Sequence, residues 1–170
     1  SLPLFPSWKE FLTNFLDFIR DKGKLTYDHA ELLAKLSRGE DFLEIADVCA
    51  KAISESEYRE FLESAFDKDF TESAIPEAYS LLLELALPKI VTTNYDRIPE
   101  IGGHGTYRTF TNLQLGEAIR AFEQNKKTVI KLHGDINAQD SIILTKSDYE
   151  AVLFAKPDVD RFFSAVLATR

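Results

Sequence analysis

Two short apolar runs, each followed at once by polar residues, constrain the fold more than any other feature of this sequence. Residues 89–93 lead into Asn94-Tyr95-Asp96, and residues 128–132 lead into His133-Gly134-Asp135. Runs rich in Val, Ile and Thr are typical of β-strands. A helical pattern at 113–124 lies between them, and strands separated by helices indicate βαβ units and a parallel sheet.

Other segments show helical spacing of apolar residues. The first helix begins after Ser7, a capping residue with Glu10 three positions later, and ends near Gly23. Further helices are predicted at 28–36, 41–53, 56–66, 76–87, 147–154 and 158–168. Additional strands are predicted at 107–110 and 141–145. The sequence therefore predicts an α/β fold, a mostly parallel sheet with a large helical block, about residues 27–70, packed on or inserted into it.

Composition excludes several classes of protein. The chain has 20 basic and 28 acidic residues, a net charge of -8, and no cluster of Lys and Arg. An electrostatic surface for nucleic acid is therefore not expected. The single cysteine, Cys49, permits neither an internal disulfide nor a cysteine zinc site, so we expect no metal and a reducing, cytoplasmic location. No apolar run approaches the roughly 20 residues that span a bilayer.

The polar residues after the two main strands are the candidate site. In open α/β sheets, ligands bind outside the carboxyl ends of the strands, where these residues fall. A histidine such as His133 suits general-base chemistry near neutral pH, and Gly134 permits a close approach by backbone or ligand. Taken singly, each segment is more typical of an ordinary turn. The two segments form one site only if their strands are neighbours in the sheet.

Three motifs in order resemble a known family. These are Thr92-Thr93-Asn94-Tyr95-Asp96, then the segment 131–136 (Lys-Leu-His-Gly-Asp-Ile), then the segment 142–149 (Ile-Ile-Leu-Thr-Lys-Ser-Asp-Tyr). Together they resemble the bacterial sirtuin-like domains that act as NAD hydrolases in anti-phage defence. The stretch 4–10 is also similar to the family. The resemblance implies a Rossmann-like fold and a single sirtuin-like domain over residues 1–170, with a helical insert at about 27–70.

The resemblance also implies roles for individual residues. Asn94 matches the asparagine beside the nicotinamide ribose, and His133 matches the catalytic histidine. The residues that would line the NAD pocket are Thr92, Thr93, Asp96 and Gly134. The reaction implied is cleavage of the nicotinamide N-glycosidic bond to give nicotinamide and ADP-ribose or a cyclic form, with NAD as the substrate and no metal.

The sequence departs from the family at both ends. The glycine-rich phosphate loop and the last strand of the family are not found, so we expect the chain to be a piece truncated at both ends. We therefore expect it to bind NAD weakly by itself. The resemblance further implies additional sensor or oligomerisation domains in the same chain, a homo-oligomer, and no contact with nucleic acid or membrane.

Other functions remain open from sequence. A protein deacylase of this family commonly carries a four-cysteine zinc module, which Cys49 alone cannot supply. A module that binds NAD or ADP-ribose without cleaving it would use the same pocket. The order His133-Gly134-Asp135 also resembles aminoglycoside-type phosphotransferases, but Asp140 stands where that family requires an asparagine. Glu100 is interpreted as part of the solvated acidic surface.

Overall fold

A computed structural model of the chain describes residues 4–155 and 161–164. These residues form two compact units. The first contains the described residues up to Lys68 together with Leu144–Ala151, and the second contains Asp69–Ile143 together with the described residues beyond Ala151. The expectation of one domain over 1–170 with an insert at 27–70 stays a prediction.

The first unit is built from amphipathic helices. These are α1 (Trp8–Asp21), α2 (His29–Arg38), α3 (Phe42–Ala52) and α4 (Glu55–Phe66). Ser7 and Glu10 form the predicted capping box at the start of α1, which satisfies backbone N–H groups that the helix cannot pair itself. Phe15 and Phe61 stack at the centre of the unit, with ring centroids 4.3 Å apart. Both rings are buried, and their burial contributes to the packing of α1 against α4.

The second unit contains a parallel sheet. Its strands among the described residues are β1 (Lys89–Thr92), β2 (Arg108–Thr111) and β3 (Thr128–Lys131), in the spatial order β1-β3-β2. Both neighbours of β3 run parallel to it. The helices of this unit are α5 (Glu77–Glu84), α6 (Ile98–Gly102) and α7 (Leu115–Glu123), and a helix α8 (Lys146–Ala155) follows. The predicted α/β, Rossmann-like architecture is therefore confirmed.

Every residue of β3 is buried, as expected for a central strand covered on both faces. Its neighbour β2 packs against α7, where Phe110, Ile130, Phe122 and Phe162 contribute to one apolar cluster. Among the described residues, no helix has the length and apolar character needed to cross a bilayer.

One predicted helix end and one predicted strand were wrong. The helix predicted at 76–87 ends at Glu84, because Ala86 takes a positive φ of 49° and turns the chain toward Pro88 and β1. The strand predicted at 141–145 is absent from the described sheet, and residues 139–141 form a 3₁₀ turn instead. The carbonyl of Ser141 accepts a hydrogen bond from the Asn112 side-chain amide at 2.6 Å, so a side chain satisfies it in place of a partner strand.

Two helices are predicted near the C-terminal end of the chain, and the described residues cover one of them fully. The helix predicted at 147–154 is confirmed as α8. The helix predicted at 158–168 lies mostly outside the described residues, of which 161–164 are helical.

Candidate functional site

The two polar segments that follow β1 and β3 meet at one edge of the sheet. Thr92 and Lys131 end the two strands and lie opposite each other in the register. Beyond them, the Leu132 N–H donates to the Thr92 carbonyl at 2.9 Å, and the Ile136 N–H donates to the Tyr95 carbonyl at 3.1 Å. The sequence predicts one shared site only if the two strands are neighbours in the sheet. They are neighbours, and both polar segments follow the carboxyl ends of their strands.

Asn94 is half-buried and its side chain is held on one side by the protein. Its backbone N–H donates to the hydroxyl of Thr92 at 3.1 Å, which closes a tight turn after β1. Its side-chain nitrogen Nδ2 donates to the hydroxyl of Tyr79 at 2.7 Å. Tyr79 lies on α5, so this helix fixes the amide from across the end of the strand.

Asp96 is buried and lies two residues before the helix α6. Its Oδ1 accepts a hydrogen bond from the Ile98 N–H at 2.9 Å, at the start of α6. Burial raises the pKa of the Asp96 carboxyl, and this outweighs the Ile98 hydrogen bond and the charge of Lys131, which lower it. Asp96 thus holds a proton more readily than an exposed aspartate does.

His133 is half-buried in the turn that follows β3. Burial lowers the pKa of its imidazole, which favours the neutral ring that a general base requires. Its backbone carbonyl accepts from the Ile143 N–H at 2.8 Å, so the turn is anchored on the segment after the 3₁₀ turn.

Gly134 has a conformation and surroundings that exclude a side chain. Its φ is 102°, and a Cβ atom would overlap the backbone carbonyl of Ser141. The next residue, Asp135, donates its backbone N–H to the Ser141 hydroxyl at 3.0 Å. The close approach predicted for Gly134 is therefore made by the protein's own backbone.

A cavity of about 360 Å³ opens beside β1, between that strand and α5. Its walls are largely apolar, with Asn94, Thr92 and Asp96 as the polar residues at the strand end. Its other lining residues are Ala78, Tyr79, Leu82, Leu83, Ile90, Val91 and Pro99. Thr93, His133 and Gly134 are not among the described residues that line this cavity. Only half of the predicted site residues therefore line it.

Lys131 also lies at this edge, although it was not one of the predicted site residues. It has no exposed surface, and its ammonium lies 2.9 Å from Glu100 Oε1, 2.8 Å from Asp135 Oδ2 and 2.6 Å from the Asp96 carbonyl oxygen. Three donors therefore meet three acceptors, which is the arrangement that a buried lysine needs. The sequence feature that could have identified Lys131 is its position: a lysine inside an apolar run, directly before a polar turn.

The interpretation of Glu100 as a solvated surface residue was wrong. Its side chain is 24% exposed, and Oε1 accepts a hydrogen bond from the Thr109 hydroxyl at 2.8 Å in addition to its ion pair with Lys131. Oε2 is buried and has no hydrogen-bond partner among the described residues. Glu100 lies on α6, and its side chain reaches Lys131 at the end of β3.

Metal ligands are not concentrated at this edge. No group of three or more His, Cys, Asp or Glu side chains suited to a metal ion occurs in the part of the chain that the structure describes. Burial raises the pKa of Cys49 to about 12, so its thiol is a poor ligand and a poor nucleophile.

Residues 88–170 match the family model of the SIR2-like domain. The matched segment contains β1, β2 and β3 and both polar segments. The predicted resemblance to sirtuin-like domains is thereby confirmed for this segment. No curated protein matches the chain.

Proposed function

We propose that this chain, which carries a SIR2-like domain over residues 88–170, cleaves the nicotinamide N-glycosidic bond of NAD as part of an NAD hydrolase. One observation carries the proposal: the Asn94 and His133 segments lie at the carboxyl ends of two adjacent parallel strands inside the family segment. Its biological setting would be that of a cytoplasmic effector in bacterial anti-phage defence, with further domains and self-association supplying control.

The chemistry of this bond suits the residues available. Cleavage passes through an oxocarbenium-like state, and nicotinamide leaves as a neutral molecule, so no strong acid is required. The protein must orient the ribose and the attacking hydroxyl or water, and must stabilise positive charge at the anomeric carbon. An amide, a neutral imidazole and a nearby carboxyl group can perform these tasks.

Each residue takes a definite role in this proposal. Asn94 orients the attacking group beside the ribose, and His133 accepts a proton from a ribose hydroxyl or from water. The lowered pKa of His133, caused by burial, keeps the imidazole in the form that accepts a proton. Asp96 stabilises the developing positive charge in its ionised form, and Thr92, Thr93 and Gly134 would shape the surrounding pocket.

The apolar cavity beside Asn94 suits the leaving group. Its volume, about 360 Å³, is within the range of small-ligand sites and exceeds the space that one flat pyridine ring fills. Leu82 and Ile90 line its walls, and Asn94 stands at its polar end. A neutral aromatic amide would bury its ring there and keep its polar group at the strand end.

Nicotinamide release from NAD by the intact protein tests the proposal, with wild type compared with Asn94→Ala and His133→Ala. We expect both variants to lose about 100-fold or more in rate. This is the lower range for removal of a proton-transfer group such as His133, and the scale that a lost positioning contact such as that of Asn94 can reach. Asn14→Ala and His104→Ala are matched controls, because both residues are exposed. Circular dichroism checks that every variant is folded.

The same reaction set separates the alternatives. An NAD hydrolase releases nicotinamide without a peptide, whereas a deacylase requires an acylated lysine peptide for release. A binding module would retain NAD or ADP-ribose in equilibrium dialysis and release no nicotinamide. Equal rates in wild type and in the Asn94 and His133 variants would contradict the proposal.

A further inference from the structure

We propose that Tyr79 is a positioning residue, which holds the Asn94 amide so that its oxygen is directed at the substrate. The inference rests on the proposed function, because it explains how Asn94 performs its part. Its basis is the hydrogen bond of 2.7 Å from Asn94 Nδ2 to the Tyr79 hydroxyl. Tyr79 belongs to α5, ahead of the strand, and lies outside the segment that matches the family.

The hydrogen-bonding capacity of an amide makes the orientation specific. An asparagine side chain offers two N–H donors and one carbonyl acceptor. Tyr79 accepts from one donor, and the Asn94 side chain also hydrogen-bonds to the Asp96 carboxyl. With Nδ2 turned toward these two acceptors, the carbonyl Oδ1 is the atom that remains for a ligand. Asn94 then acts as an acceptor, which suits the orientation of a ribose hydroxyl or a water molecule.

The location of Tyr79 gives it this effect without direct participation in the chemistry. The side chain is half-buried and lines the cavity next to Asn94. Leu82 and Leu83 of the same helix line this cavity too, so Tyr79 belongs to its largely apolar wall. Loss of the hydroxyl would leave the Asp96 carboxyl as the remaining acceptor for the amide N–H groups, so the orientation of the Asn94 carbonyl would be held less firmly.

Tyr79→Phe in the intact protein is the decisive variant, because it removes the hydroxyl and keeps the ring. One neutral hydrogen bond corresponds to a fall of about three- to tenfold. We expect that fall in kcat, with KM for NAD changed less than about twofold, because the ring still fills the cavity wall. Tyr107→Phe is the matched control, since its hydroxyl donates to the Leu87 carbonyl at 2.8 Å and not to the site. We expect its kcat to stay at the wild-type value.

A second readout does not depend on turnover. In protein labelled with ¹⁵N at asparagine, the side-chain NH₂ signals of Asn94, assigned with Asn94→Ala, report its hydrogen bonds. We expect these signals to shift and to exchange faster with solvent in Tyr79→Phe, and to be unchanged in Tyr107→Phe.

The two readouts separate the possible failures. Unchanged Asn94 signals and unchanged kcat in Tyr79→Phe would overturn the inference. A rise in KM with kcat unchanged would also overturn it, because that would indicate a role in binding alone. If Tyr79→Phe shifts the Asn94 signals but the wild-type protein releases no nicotinamide, the proposed function is contradicted. The inference that Tyr79 orients the Asn94 amide is still supported in that case.

Discussion

The ammonium of Lys131 lies 2.6 Å from the backbone carbonyl oxygen of Asp96 and so joins the end of β3 to the turn that follows β1. The same nitrogen pairs with Glu100 and Asp135, which belong to α6 and to the turn after His133. One buried side chain therefore connects three segments of the site edge. Strand pairing brings the two turns near each other, and Lys131 holds them there.

Lys131→Met tests this connection. Methionine preserves most of the volume but leaves the carboxylates of Glu100 and Asp135 without their cation in a buried position. Removal of one partner from a buried ion pair costs about 3 to 5 kcal/mol of the free energy of unfolding. Urea unfolding followed by circular dichroism measures the change, and hydrogen exchange of the β3 amides locates it.

The control for Lys131→Met is Lys146→Met. Lys146 pairs with Glu44 at 3.2 Å, and both side chains are at least half exposed. Solvent screens exposed ion pairs, so this variant should remain close to wild type in stability. Equal effects of the two substitutions would show that the buried network does not stabilise the fold.

The sequence predicted the sheet well because its pattern is local. Residues 89–93 and 128–132 carry the β-branched signal, and the helix between them requires a parallel crossover. The capping signal at Ser7 likewise acts within one turn, and its side chain accepts a hydrogen bond from the predicted helix start. These features depend on neighbours along the chain, so one sequence was sufficient to predict them.

Features that depend on distant partners were not predictable. Residues 141–145 carry a strand signal, but Asn112 satisfies the Ser141 carbonyl by a side-chain contact that no local pattern reveals. Glu100 acquires its partner from β3, and Tyr79 meets Asn94 across the end of β1. In each case the contact is made by a single polar atom from another element. Such contacts produce no periodic pattern in the sequence.

Gly134→Ala should destabilise the turn that carries His133. The φ of 102° strains any residue with a side chain, and the added Cβ would overlap the Ser141 carbonyl, which is backbone and cannot rotate away. Strain of this kind costs about 1 to 3 kcal/mol, and the overlap adds to it. Thermal unfolding measures the loss, and nicotinamide release should fall with it.

Gly105→Ala separates backbone strain from overlap. Gly105 also has a positive φ, 67°, but a Cβ at this position meets no atom within 4 Å. We therefore expect a cost of about 1 kcal/mol, from strain alone. If Gly105→Ala destabilised the chain as much as Gly134→Ala, the close approach at Gly134 would have no energetic importance.

His133 should set the acid limit of activity below its ordinary pKa of 6.5, because burial lowers the pKa of this imidazole. The ring must be neutral to accept a proton, so kcat/KM for NAD should fall only when the pH drops below that lowered pKa. Stability should change in the same direction. Between the lowered pKa and 6.5 the unfolded chain binds more protons than the folded chain, so the free energy of unfolding decreases as pH falls through this window.

The pH profile of kcat/KM distinguishes His133 from other titrating groups. His104→Ala should leave the acid limb in place, because the His104 side chain is 72% exposed and pairs with Glu72, which is not one of the proposed site residues. His133→Ala should change the limb of whatever residual activity is left, because only the Asp96 carboxyl, whose pKa burial raises, then titrates among the proposed site residues. A midpoint at or above 6.5, or an acid limb that is the same with and without His133, would contradict its assignment as the base.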